Sequence, residues 1–325
     1  MAETEVQRKS APGELHRTWF RELSSSPIFV SWRHALRHPS FNIKMAYAGT
    51  AILVVSFVGC KATQIHVPNV GTMFFALVCV GVAVLSATLY LEEKGKLYWK
   101  DLIAVIFWAI FFTYTLNFPV AIAARLGLGF ELRDALLVRL DQYAGVRIPV
   151  IVAWSLRNPL GILASGSYFL LFPYMRAAIL VTALAGKAQA AKQFLLANVI
   201  GFAVGLPCFA LIPAVGPWYG YHVAARPDQI ASQATLFLLR HPGPCEYHLP
   251  TGIVCFPSFH VFWAILCAQA LWVFPSLRIP ASILSGLIIF STVTTGEHYI
   301  SDVFAGALLA AVAAFGSGRL DKLTN

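Results

Sequence analysis

Long runs of apolar residues, separated by short polar segments, organise this chain. A helix needs about 20 apolar residues to cross a bilayer, and eight runs are candidates: Met45–Cys60, Val70–Leu91, Leu102–Ala123, Leu160–Leu184, Phe194–Pro213, Pro257–Phe274, Ile279–Thr294 and His298–Phe315. The first, seventh and last are short, so they must borrow flanking residues or thin the bilayer, and one of them could instead merge with a neighbour or drop out. The pattern predicts an all-α, polytopic membrane bundle of about eight transmembrane helices.

Composition supports a membrane protein and excludes other classes. Of the 325 residues, 58% are hydrophobic and 12% are charged, whereas about a quarter of an ordinary soluble domain is charged. The six cysteines contain no CxxC pair, so a zinc ribbon or thioredoxin-type site has no support. The excess of Lys and Arg over Asp and Glu is typical of loops beside an anionic leaflet. We therefore expect membrane lipids as partners, with no nucleic acid, cofactor or metal; the oligomeric state is left open.

The distribution of basic residues predicts the orientation. With the amino terminus inside, the cytoplasmic segments hold 15 Lys and Arg and the outer segments hold 8, so both termini are expected in the cytoplasm. The predicted organisation is a basic tail (1–44), amino-terminal transmembrane helices (45–124), an extracytoplasmic interfacial segment (125–159), a transmembrane core (160–318) with an outer loop (214–256), and a short tail (319–325).

Two short motifs carry candidate chemistry, and the predicted topology puts both at the outer face. His298 and Asp302 are four residues apart and share a helix face, so the carboxylate can accept the Nδ1–H and leave Nε2 free as a nucleophile. Pro257-Ser258-Phe259-His260 starts another span, where free backbone N–H groups attract an anion such as phosphate. Each motif alone could be an ordinary interfacial helix end. Together, His298 and His260 form a plausible nucleophile and general acid for phosphoryl transfer.

These motifs resemble those of the type-2 phosphatidic acid phosphatase superfamily. Pro257-Ser258-Phe259-His260 is similar to its PSGH motif, and His298 to Asp302 is similar to the end of its SRxxxxxHxxxD motif. The resemblance covers the chain from Leu160 onwards. It implies a six-helix core with an extracytoplasmic, metal-independent site, a phosphohistidine on His298 oriented by Asp302, His260 as the proton donor, and Ser258 holding phosphate.

The chain departs from that pattern in its basic residues. The arginine of the third motif is replaced at Ser291-Thr292, and the first motif, KxxxxxxRP, has Tyr219 in place of lysine ahead of Arg226-Pro227. Arg226 and Tyr219 are therefore candidate substrate-binding residues, although Arg226 could equally be a solvated loop residue. The FPSxH and GxHYxxD patterns, and Leu140–Gly145 ahead of Pro149, resemble the inositol phosphorylceramide synthase-like branch. Its members move a phosphoryl headgroup between lipids, so either a phosphatase or a transferase is expected.

Alternatives to this enzyme and one disulfide remain open. The same buried polar residues could form a binding site in a lipid transporter, or the chain could be an inactive scaffold relative. Cys245 and Cys255, both in the outer loop, could form a disulfide in an oxidising compartment or remain two free thiols.

Overall fold

The computed structural model describes residues 40–248 and 252–322, with the backbone alone at 321 and 322, so most of the predicted basic tail lies outside the described residues. Within those ranges the regular structure is helical, including three short 3-10 segments, apart from two two-residue strands. The helices are α1 (Phe41–Ala62), α2 (Val70–Glu93), α3 (Leu97–Thr115), α4 (Asn117–Leu126), α5 (Asp134–Tyr143), α6 (Ile148–Arg157), α7 (Pro159–Gly166), α8 (Leu171–Leu184), α9 (Ala188–Leu211), α10 (Pro217–Gly220), α11 (Pro227–Arg240), α12 (Phe259–Leu271), α13 (Arg278–Thr294) and α14 (Ile300–Lys322), and the strands are β1 (Ile65–His66) and β2 (Cys245–Glu246).

The helical membrane bundle predicted from the apolar runs is confirmed. Seven helical segments in the described residues are long and apolar enough to cross a membrane. The sixth predicted run is shorter than expected, because its helix, α12, covers only Phe259–Leu271. Its side chains are apolar and largely buried inside the bundle. The first run is longer than predicted, since α1 begins at Phe41.

The bundle has a dense centre and a loose periphery. Helix α12 packs against α8, α9, α13 and α14, and α9 in turn packs along α14. In the most apolar window of α9, 56% of the residues are buried, against 17% in α2. Since lipid can cover the exposed apolar side chains of α2, this difference places α12 and α9 in the core and α2 at its edge.

The longer connections between helices lie at one end of the bundle. Strands β1 and β2 pair in parallel there, with Ile65 opposite Cys245. The Arg125 side chain donates to the Leu239 carbonyl, and the Arg133 N–H donates to the Pro213 carbonyl 2.8 Å away. The predicted outer loop is thus partly folded, into α10, α11 and β2. We call this end, with its connecting segments, the site end.

Two of the predicted segments contain helices. The interfacial segment 125–159 forms the amphipathic helices α5 and α6, in which Leu137 is buried while Leu136 and Leu140 are exposed. Helix α14 continues to Lys322, into the residues predicted to form the carboxy-terminal tail.

Candidate active site

The end of α13 sets the position of His298. Gly296 has φ +72°, a conformation that glycine adopts without strain. Its N–H donates to the Val293 carbonyl, and the Glu297 N–H donates to Thr292, which together form a Schellman motif. The His298 N–H also donates to the Thr292 carbonyl, at 3.1 Å. This glycine therefore stops α13 sharply and turns His298 back over the helix end.

Two acceptors face the Nδ1 atom of His298. The Cys255 carbonyl oxygen is 2.9 Å from Nδ1, and Asp302 Oδ2 is 3.5 Å away. Because both are acceptors, Nδ1 carries the proton and Nε2 has its lone pair free. The His298 side chain is 4% exposed and that of Asp302 is fully buried. The nearer partner is thus a backbone carbonyl, and the carboxylate lies just beyond it.

The Asp302 carboxylate is shared among several neighbours. Its Oδ2 accepts the Tyr299 N–H at 2.9 Å and lies 3.1 Å from the Cys255 thiol. Its Oδ1 is buried and has no hydrogen-bond partner among the described residues. Asp302 is therefore held firmly by one oxygen, and the other oxygen is unpartnered.

The second motif begins α12 and is tied directly to α14. Ser258 is the N-cap of α12: its Oγ accepts the Val261 N–H, and its own N–H donates to the Asp302 carbonyl at 3.1 Å. A Cβ at Gly306 would clash with the Ser258 carbonyl oxygen. Only glycine permits the two helices to approach this closely.

This approach brings the two histidines together. The ring centroids of His260 and His298 are 5.7 Å apart. His260 also stacks on Tyr168, with centroids 4.2 Å apart and planes at 17°, and it makes an edge contact with Phe172, with centroids 6.3 Å apart. The site therefore has two imidazoles side by side, one among polar groups and one in an aromatic setting.

Helix α5 holds the His298 segment from outside the bundle. The Asp134 carboxylate accepts the N–H groups of Val215 and Gly216, and the Tyr299 hydroxyl lies 2.9 Å from Asp134 Oδ1 and from the Gly216 carbonyl. Two turns along, Asp141 Oδ1 accepts the Ile300 N–H at 3.0 Å. We call these two aspartates the α5 clamp, because they fix the residues that follow His298.

Burial controls the charge of the α5 clamp. It raises the pKa of Asp134, although the N–H groups of Gly216 and Val215 lower it in part. It also raises the pKa of Asp141 to about 6, with a further contribution from the nearby charge of Asp302. Asp141 is thus poised to change protonation in mildly acidic conditions.

Arg226 reaches the same segment and is already engaged. Its guanidinium donates to Asp228, to Glu297 and to the Thr295 carbonyl, the last at 2.8 Å. Burial lowers the pKa of Arg226, but hydrogen bonds and charge from Asp228 and Glu297 raise it by more. The cation is held against the residues that precede His298, and a phosphate would have to replace one of its present partners.

The remaining predicted residues have other settings. Tyr219 packs its ring against Trp218 and Phe237 rather than against the histidines. Of the two alternatives left open for Cys245 and Cys255, this structure has the two free thiols and not the disulfide. Cys245 lies 2.8 Å from Arg125, whereas Cys255 is buried against Asp302. Burial raises the pKa of Cys255, so this thiol stays protonated near neutral pH.

Sequence reasoning did not find several groups of the site. Asp134, Tyr168 and the Cys255 carbonyl were missed, and the sequence around Asp141 was noted only through a family resemblance. The spacing of Asp134 and Asp141, seven residues apart on an amphipathic helix, was an available signal that both face one side. No sequence pattern shows that this side meets Tyr299.

Comparison with known proteins gives one match. A family model described as the PAP2 superfamily matches residues 135–316, which is more than half of the chain. The match begins at α5, so it starts before Leu160, where the resemblance was expected to begin. A search of curated proteins and a search of solved structures gave no significant match.

Proposed function

The chain belongs to the PAP2 superfamily, and from that premise we propose that it is an integral-membrane enzyme that cleaves or transfers a lipid phosphate ester through a phosphohistidine on His298. One observation carries the proposal. His298 presents a lone pair on Nε2, because both partners of Nδ1 are acceptors, and His260 lies beside it with ring centroids 5.7 Å apart. The two imidazoles are therefore neighbours, as two groups that act on one phosphate ester must be.

The first step forms the bond between Nε2 of His298 and phosphorus while the bond from phosphorus to the lipid oxygen breaks. His260 donates a proton to that oxygen. In the second step His260 takes a proton from water or an alcohol, which attacks phosphorus and releases His298. The Cys255 carbonyl and Asp302, both facing Nδ1–H, stabilise the positive charge that the ring acquires.

Charge on the phosphate needs donors, and two sources lie next to the histidines. The N–H groups of Phe259 and His260 are in the first turn of α12, where helix geometry provides no internal acceptor. Arg226 is the second source, and we propose that phosphate displaces Glu297 or Asp228 from its guanidinium. Ser258 acts mainly by capping α12, and Tyr219 supports the loop.

Transfer to a second lipid is favoured by the surroundings of His260. The ring stacks on Tyr168 and contacts Phe172, a residue of a membrane-spanning segment whose side chain is half exposed. An acceptor approaching along this apolar wall would come from the bilayer rather than from water. We therefore propose headgroup transfer between lipids, of the inositol phosphorylceramide synthase-like kind, with hydrolysis as the competing outcome.

The orientation is also a proposal, with the site end outside and both termini in the cytoplasm. Three of the eight basic residues assigned to the outer segments, Arg125, Arg226 and Arg240, bond to carbonyl or carboxylate groups of the site end. Because these three arginines have structural partners, they weigh less in the comparison of loop charges that sets the orientation than the basic residues at the opposite end. Two variants, Gly95→Cys and Gly129→Cys, test this orientation with a membrane-impermeant thiol reagent in intact cells. We expect the reagent to label only Gly129→Cys.

The central experiment uses purified protein with lipid phosphates labelled in the headgroup and on phosphorus. We expect acid-labile, base-stable label on the protein, its loss in His298→Ala, and either free phosphate or a new lipid phosphodiester as product. Lys187→Gln, in the connection between α8 and α9 at the opposite end of the bundle, is the matched control.

Two outcomes would overturn the proposal. Unchanged turnover in folded His298→Ala would exclude the phosphohistidine. Movement of lipid between leaflets of reconstituted vesicles without ester cleavage would favour a transporter, and neither activity would favour an inactive scaffold.

A further inference from the structure

Three metal-ligating side chains of different chemistry meet beside His298. Cys255 Sγ is 3.1 Å from Asp302 Oδ2, and His298 Nδ1 is 3.5 Å from the same oxygen. The three candidate ligand atoms lie within 4.8 Å of one another, and all three residues are buried. Because zinc bonds are about 2.0–2.3 Å long, a small contraction would bring all three atoms onto one ion.

A second observation concerns the carboxylate of the same cluster. Asp302 Oδ1 is fully buried and has no hydrogen-bond partner among the described residues. A buried carboxylate oxygen without a donor is costly. The contacts with Cys255 and His298 are made by Oδ2, so a cation chelated by both oxygens of Asp302 would also give Oδ1 a partner.

The ligand types select the class of metal. Magnesium and calcium prefer shells made of oxygen atoms, whereas one thiolate, one imidazole and one carboxylate suit zinc or its softer analogue cadmium. The charges also balance, because a divalent ion with one thiolate and one carboxylate is neutral in a buried site. With three protein ligands, a fourth position remains open for water or a phosphate oxygen.

We propose that Cys255, His298 and Asp302 form an inhibitory site for a thiophilic divalent cation, zinc in particular. This inference rests on the proposed function for its inhibitory effect, but not for the binding itself. On binding, the Cys255 thiol releases its proton, and the metal takes the Nδ1 lone pair of His298. In a neutral imidazole the proton then moves to Nε2, so the atom that should attack phosphorus no longer has a lone pair.

This account predicts more than loss of activity. The metal replaces the contact between Nδ1 and the Cys255 carbonyl, and it enforces the tautomer opposite to the one that catalysis requires. Inhibition should therefore affect formation of the phosphohistidine itself, whichever acceptor completes the reaction.

The test uses the purified full chain in detergent, with cadmium as a spectroscopic probe and zinc as competitor. We expect a thiolate-to-cadmium charge-transfer absorbance at one equivalent, reversed by zinc or a chelator, and parallel loss of lipid phosphate turnover. In Cys255→Ser the absorbance should disappear. In this variant the zinc concentration needed for half inhibition, measured against the variant's own metal-free activity, should rise by about tenfold or more. Changing a residue that only supports a ligand already costs about tenfold in metal affinity, and Cys255 is a ligand itself.

The matched control is Cys60→Ser/Cys245→Ser, which removes the two interacting thiols near the strand pair while leaving Cys255 in place. It should keep both the absorbance and the zinc sensitivity, and it tests the site even if Cys255→Ser does not fold. Loss of the absorbance in this control, or its persistence in folded Cys255→Ser, would overturn the site.

The two proposals fail separately. A Cys255-dependent absorbance in a protein without lipid phosphate activity would retain the metal site and refute the enzyme. Activity that depends on His298 but does not respond to zinc, in a protein that shows no cadmium absorbance, would retain the enzyme and refute the metal site.

Discussion

The two histidines of the site are positioned by opposite kinds of contact. His298 is surrounded by polar groups, with the Cys255 carbonyl and Asp302 on its Nδ1 side and the α5 clamp behind the following residues. His260 is held by ring contacts with Tyr168 and Phe172. Polar contacts fix which nitrogen bears the proton, whereas stacking fixes the plane of a ring and leaves its proton free. The contrast suits a nucleophile on one side and a proton donor on the other.

Removing the two imidazoles should give the largest effects, and the losses should differ in kind. We expect His298→Ala to lower kcat by about 10⁴-fold or more, since the covalent route is lost. His260→Ala should cost about 10²–10⁴-fold with a lipid alcohol as leaving group, and less with a nitrophenyl phosphate, which departs without a proton. Steady-state kinetics on both substrates measures this. Because His260 also acts as the base of the second step, the comparison uses kcat/KM, which covers only the steps up to formation of the phosphohistidine. An equal loss of kcat/KM on both substrates in His260→Ala would refute its role as the acid.

The polar contacts that position His298 can be weakened by a substitution at Tyr299. Tyr299→Phe removes the hydroxyl that lies 2.9 Å from Asp134, and it leaves that buried carboxylate short of a donor. A small displacement of the adjacent His298 should lower kcat by about 10–100-fold, with little change in KM. Tyr143→Phe, on an exposed side chain of α5, is the control and should stay within about twofold. A rise in KM at constant kcat would instead place Tyr299 in substrate binding.

Substitutions in the aromatic surroundings of His260 should reduce turnover less than those around His298, and their effect should depend on whether an aromatic ring is kept. Tyr168→Ala removes the ring that stacks on His260, and such pairs contribute about 0.5–1.5 kcal/mol. We expect turnover to fall by about two- to twelvefold, while Tyr168→Phe keeps the ring and should stay near the parent value. If both variants lose the same activity, the hydroxyl rather than the stack is responsible.

The smallest expected effect is a pH dependence of stability from the α5 clamp. Burial raises the pKa of Asp141 to about 6, so the folded state binds its proton more tightly than the unfolded chain. This contribution is fully present below about pH 4 and is lost as the pH rises through 6, by at most about 2–3 kcal/mol. Thermal unfolding in detergent between pH 4 and 8 measures it. Asp141→Asn should flatten this part of the profile, and an unchanged profile would contradict the assignment.

A second comparison separates what the chain pattern determines from what it does not. Helix α2 is a long apolar run with mostly exposed side chains, and the sequence predicted it almost to the residue. Helix α12 is equally apolar, yet it is short and central. Hydrophobicity alone does not distinguish a helix surrounded by lipid from one surrounded by protein, because both environments are apolar.

The sequence by itself determined the membrane bundle and the two histidine motifs, because apolar run length and i, i+4 spacing are local properties. Only the tertiary structure decided what faces those histidines. The Cys255 carbonyl, the α5 clamp and the stack on Tyr168 join segments far apart in the chain, and they depend on close approaches such as that at Gly306. The choice between a disulfide and two free thiols was decided in the same way: Cys255 is ten residues from Cys245, but packing places its thiol against Asp302.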